Sequence, residues 1–155
     1  MTLVSSTEGK TVFQNFIQNS IRPSHKAFEK GGIEEGVRLF VNGVLGDGSY
    51  EQMPIIAHIS MLENAHELMG EMNSMNAKGV DFFPAFSCKE AQKINIPTLL
   101  VDGEISPTFL RLINDALERC LPDNERVVIP AASHDLKIQE PPVFSETVLP
   151  FLDGH

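Results

Sequence analysis

Two short apolar runs, Thr98-Leu99-Leu100-Val101 and Val127-Val128-Ile129, constrain this chain more than any other feature. Neither alternates with polar residues, so each reads as a strand buried on both faces, the pattern of a parallel sheet. Between them Leu110, Ile113, Leu117 and Leu121 recur at helical spacing behind Pro107. A proline costs nothing in a first helical turn, where its missing N–H would have had no partner in the helix. Pro122 stops that helix, Pro130 ends the second strand, and Phe144, Val148, Phe151 and Leu152 mark a closing helix. Residues 95–155 therefore read as a β-α-β-α unit with parallel strands.

Residues 1–94 have a different texture and read as helices and loops. Ile33, Val37, Phe40, Val41 and Val44 predict one amphipathic helix over residues 33–45, closed by Gly46-Asp47-Gly48-Ser49. A second helical stretch begins near Pro54, with Ile55, Ile56, Ile59 and Leu62 as its apolar stripe. It bends near Asn64 and continues through Leu68 to Met72. Residues 73–84 read as a loop, with a third short strand around residues 80–83. Met53, Met61, Met69, Met72 and Met75 all fall in this half. Methionines of this kind fill irregular core space; a flexible wall around a small-molecule pocket is the sharper alternative.

This inventory leaves the sheet short. A parallel sheet needs several strands, with helices on both faces, to satisfy its backbone groups. Two strands leave hydrogen-bonding groups unpaired at an edge, so the remainder is expected from elsewhere.

Composition narrows the function classes. With 155 residues and 42% hydrophobic content, the chain can bury a core of one domain and is too apolar for disorder. A net charge of -9 repels phosphate backbones and argues against nucleic-acid and anionic-membrane partners. No run reaches the roughly 18 apolar residues of a membrane span, and Met1-Thr2-Leu3-Val4-Ser5-Ser6 lacks the regions of a signal peptide. A cytoplasmic protein is expected. Cys88 and Cys120 stand far apart, in no metal-ligand spacing, and are expected to be free, partly buried thiols.

The segment Ile96-Pro97-Thr98-Leu99-Leu100-Val101-Asp102-Gly103-Glu104 and the helix ending in Cys120-Leu121-Pro122 resemble the last part of an α/β-hydrolase. So does Val127-Val128-Ile129-Pro130-Ala131-Ala132-Ser133-His134, followed by Pro141, Phe144 and the closing Val148-Leu149-Pro150-Phe151-Leu152. The resemblance covers residues 94–152, and residues 24–72 are similar, more loosely, to the family's helical cap. It implies an incomplete α/β-hydrolase fold: a cap-like helical region over residues 1–94, then a C-terminal segment over residues 95–155. It also implies hydrolysis of a small ester, epoxide or related substrate, with His134 as the catalytic histidine.

A histidine in a short loop after a strand lies at the C-terminal sheet edge, where open α/β folds bind ligands. There it can take a proton from a nucleophile and return it to a leaving group. In the family an aspartate often follows the strand-end glycine by three residues. Here that residue is Ser106, so the resemblance makes Glu104 the substitute acid, with Asp102 next. The family's nucleophile elbow, Gly-x-Ser-x-Gly, does not occur in the sequence. Gly46-Asp47-Gly48 is better explained as a helix-ending turn. Asn64 and His66 are candidates to line a substrate pocket. His58 and His66 stand eight residues apart near Glu63 and Glu67, but lack a third ligand at fixed spacing, so no metal site is assigned. No cofactor is expected. The expected partners are a small-molecule substrate and a chain that completes the fold. The competing reading is a non-catalytic module that pairs through its open sheet edge, as a homodimer for example.

Overall fold

Strands Thr98–Gly103 (β1) and Asn124–Ile129 (β2) pair in parallel, with Thr98 opposite Asn124 and Gly103 opposite Ile129. In this computed structural model, residues 6–75 and 86–155 are described. The fold is mostly helical, and among the described residues its sheet has two strands. The expected strand at residues 80–83 lies outside the described residues. The chain divides into two units, Met1–Val12 with Ala85–His155, and Phe13–Pro84.

In the first unit, helix α8 (Thr108–Cys120) packs on one sheet face and the closing helices on the other. Successive strand residues point to opposite faces. Leu100 accordingly joins Leu117, Cys120 and Leu121, with Ala91 of the short helix α7 (Cys88–Ala91). Val101, with Ile129, meets Leu136 of α9 (Leu136–Gln139) and Phe144 of α10 (Pro141–Gly154). Proline sits at the start of α10, as expected of a residue with no N–H to donate.

The expectation of two free thiols is overturned. Packing of α7 on the end of α8 brings the Cα atoms of Cys88 and Cys120 within 5.1 Å, and their sulfurs are bonded. That distance lies in the ordinary disulfide range. A separation of 32 residues along the chain gave no sign of it.

The second unit consists of helices. After α1 (Thr7–Phe16), which spans the division between the units, come a π-helical stretch Ile17–Ile21, α2 (Arg22–Glu29) and α3 (Ile33–Leu45). Then follow α4 (Ser49–Gln52), α5 (Ile55–Glu63) and α6 (Ala65–Met75). Its core comprises Ile21, Phe28, Val37, Val41, Tyr50, Ala65 and Met72. Helices α2 and α3 approach closely because Gly36 has no side chain: a Cβ there would lie 2.4 Å from the Phe28 ring. The buried Ser24 hydroxyl donates to the Gly36 carbonyl across this contact at 2.6 Å. Gly46 and Gly48, at φ of +112° and +79°, form the turn after α3.

The face of α5 differs from the expected stripe. Ile55 and Ile56 are 72% and 71% exposed, and Ile59 is 46% exposed. Of that stripe Leu62 does pack on the core, joined by Met61, Leu68 and Met69 around the buried Ala65 and Met72. No helix among the described residues is long and apolar enough to cross a membrane.

Candidate active site

Gly103 and Ile129 close their strands at the same register, so the loops that follow both leave the C-terminal edge of the sheet. The second loop runs through Pro130, Ala131, Ala132 and Ser133 to His134. Backbone bonds tie the two loops together: the Glu104 N–H donates to the Ile129 carbonyl at 2.9 Å, and the Ile105 N–H to the Ala132 carbonyl at 3.0 Å. A Cβ on Gly103 would lie 2.3 Å from the carbonyl oxygens of both Ala132 and Ser133, so only glycine admits this approach. On the far side, the Ser133 N–H donates to the Gln139 side chain at 2.9 Å.

These bonds leave Ala132 and Ser133 buried and His134 exposed. Among the described residues, the His134 imidazole makes no hydrogen bond or ion pair. It is thus an exposed base on an anchored loop, a placement suited to proton transfer with a group brought to the sheet edge.

The nearby acids do other things. The Glu104 carboxylate accepts from the Ala131 N–H at 2.8 Å, so it reaches the backbone of the His134 loop and not the ring. Asp102 is buried and committed elsewhere: one oxygen accepts from the Asn114 amide at 2.7 Å, the other from Arg126 Nε at 2.8 Å. Arg126 also bridges Asp115 and Glu118, at 2.6 and 2.7 Å. Burial works against its charge, but these three carboxylates outweigh burial and hold the guanidinium proton more tightly than usual. Ser106, where the family often has its acid, has a buried hydroxyl with no hydrogen-bond partner among the described residues. A cavity of about 310 Å³ on this face, lined by Asp102, Glu104, Arg111, Asp115 and Arg126 among others, does not include His134.

Asn64 and His66 lie in the helical unit, and both are exposed. The Asn64 side-chain amide donates to the Ser60 carbonyl at 2.8 Å, where it satisfies one of the last carbonyls of α5. His58 stacks on Tyr50 at 4.3 Å and its Nε2–H donates to the Tyr50 carbonyl, so that nitrogen is occupied. Among the described residues no three His, Cys, Asp or Glu side chains converge to hold a metal ion. Ala131 escaped sequence reasoning because nothing marks an alanine for φ of +55°; Gly103 at a strand end was the only visible sign of this close approach.

No family model matches the chain. A curated protein of Bacillus subtilis (strain 168), named provisionally as a 2-succinyl-6-hydroxy-2,4-cyclohexadiene-1-carboxylate synthase, is 29% identical over 84 residues, 54% of this chain and 30% of that protein. Among solved structures, MenH from S. aureus superposes with a TM-score of 0.66 at 17% identity, over 96% of this chain and 55% of MenH. Carboxylesterase CesB from Bacillus subtilis gives 0.59 at 24% identity, over 79% of this chain and 42% of CesB. Both neighbours have the α/β-hydrolase fold. The chain spans about half the length of these structures, and less of the curated relative.

Proposed function

We propose that this chain, whose fold is part of the α/β-hydrolase fold, supplies the general base of a hydrolase. The substrate is a small ester, epoxide or related compound, and a complementing segment supplies the nucleophile. The observation that carries this reading is the His134 imidazole, exposed on a loop that is otherwise tied down by backbone bonds. In the reaction it takes the proton of the attacking hydroxyl as the new carbon–oxygen bond forms, and delivers it to the departing oxygen. The imidazole acts as base in the first step, and the imidazolium so formed acts as acid in the second, which returns the ring to its starting state.

The test is complementation. The chain alone is expected neither to react with a fluorophosphonate probe nor to turn over a nitrophenyl ester, since it has no Gly-x-Ser-x-Gly. Mixed with the N-terminal part of the Bacillus subtilis relative, it should gain turnover that His134→Ala removes. Turnover unaffected by His134→Ala would sink the assignment.

One observation favours a second reading. Among the described residues β1 pairs only with β2, so one edge of β1 is unpaired. Such an edge takes up a strand from another chain. A non-catalytic module that dimerises through β1 is the form this reading takes.

A further inference from the structure

Ala131 holds a φ of +55°, the left-handed region that costs an L-residue about 1 kcal/mol or more. It stands two residues after the end of β2 and three before His134, where the chain turns off the sheet edge. Such a conformation persists only where its surroundings over-determine it. Here the Glu104 carboxylate accepts the Ala131 N–H at 2.8 Å, a charge-assisted bond of the stronger kind. Glu104 is itself fixed by its own N–H, which donates to the Ile129 carbonyl at 2.9 Å. Gly103, immediately before it, leaves room for the Ala132 and Ser133 carbonyls. The carboxylate therefore spans from the β1 loop to the one strained peptide of the His134 loop.

We infer that Glu104 is a positioning residue: it sets the placement of His134 through the Ala131 amide, and does not contact the imidazole as a triad acid would. This rests on the reading of His134 as the base.

The two roles respond differently to the same substitution. A glutamine oxygen can still accept the Ala131 N–H but carries no charge to pair with an imidazolium. Glu104→Gln should therefore keep much of the protection of the Ala131 amide from hydrogen exchange, less the part the charge supplies, and leave the His134 ring resonances close to their original positions by NMR. Glu104→Ala should speed exchange at Ala131 by about tenfold, for loss of one such bond, and shift the His134 resonances. Adding Ala131→Gly, which tolerates the positive φ, should bring those resonances back toward their original positions. If Glu104→Ala does not fold, Glu104→Gln and the double variant carry the comparison. The inference is overturned if Glu104→Gln shifts the His134 resonances as far as Glu104→Ala does, or if Glu104→Ala leaves Ala131 exchange unchanged. None of these readouts needs turnover, so their failure is distinct from failure of His134→Ala to abolish complemented activity.

Discussion

Asp102 and Glu104 stand two residues apart, yet the fold separates their work. Asp102 is still inside β1, opposite Val128, one register step from the end, and Arg126 reaches it there with two donors. Glu104 is past the strand and meets only backbone. Nothing in the segment Val101-Asp102-Gly103-Glu104 announces this, because the deciding partners lie 24 and 27 residues further on. Tyr50 was equally silent in the sequence. Its hydroxyl is buried in the helical unit without a hydrogen-bond partner among the described residues. Burial first, then the charges of Glu34 and Glu51, raise its pKa above the usual value. The folded state thus keeps the phenol proton when the unfolded chain has begun to lose it. That contribution to stability is present below the unfolded value of about 10 and fades as pH rises through the higher folded one. Tyr50→Phe should remove the alkaline loss and, by deleting an unsatisfied polar atom, leave stability at neutral pH equal or greater by about 1 kcal/mol. Urea titrations at neutral and alkaline pH measure both, and a large loss at neutral pH would show that the hydroxyl has a partner.

At the scale of elements, periodicity found what kind of structure forms but not which way it faces. Residues 33–45 and 55–63 are helices, as their spacing predicts, and Asn64 does separate α5 from α6. On α5, however, two apolar stripes are available. One runs through Ile55, Ile56 and Ile59, and the other through Met61 and Leu62, which lead on to Ala65 of α6. Only contact with α3 and the other helices selects the second. The strands were easier, because a short continuous apolar run bounded by prolines reads as a strand whichever face is covered; the expected burial on both faces fails at Val128, which is 48% exposed. The disulfide was illegible for the same reason as the α5 face: it depends on α7 meeting α8. Cys88–Cys120 encloses β1 and α8 in a loop of 32 residues, and a cross-link of that span stabilises by roughly 3–4 kcal/mol in the chain-entropy account. Reduction, or Cys88→Ser with Cys120→Ser, should lower the denaturant midpoint of the first unit accordingly. Circular dichroism is the probe, since the chain has no tryptophan. Equal midpoints with and without reductant, and thiols open to alkylation before unfolding, would mean that the pair is not joined.

For the whole chain the decisive geometry is the polarity of β1's backbone. Thr98 and Glu104 both direct their N–H groups toward the β2 side, to the carbonyls of Asp123 and Ile129. Strand residues alternate, so Leu100 and Asp102 share that direction, while Leu99 and Val101 turn theirs to the edge that has no partner strand among the described residues. Proline removes an N–H and is tolerated in a sheet only where that N–H is not bonded within it. Leu100→Pro should therefore break the β1–β2 ladder and unfold the first unit. Leu99→Pro should spare the ladder while denying the edge to any incoming strand. If a complementing segment or a second copy adds to β1, Leu99→Pro abolishes that association in sedimentation velocity, while circular dichroism stays close to that of the unaltered chain. The two proposed readings then part on stoichiometry. A complementing segment forms a one-to-one complex with turnover dependent on His134, whereas the dimer forms without any added segment and is indifferent to His134→Ala. Association that survives Leu99→Pro would place the contact away from β1, and would remove the unpaired edge as the reason for either assembly.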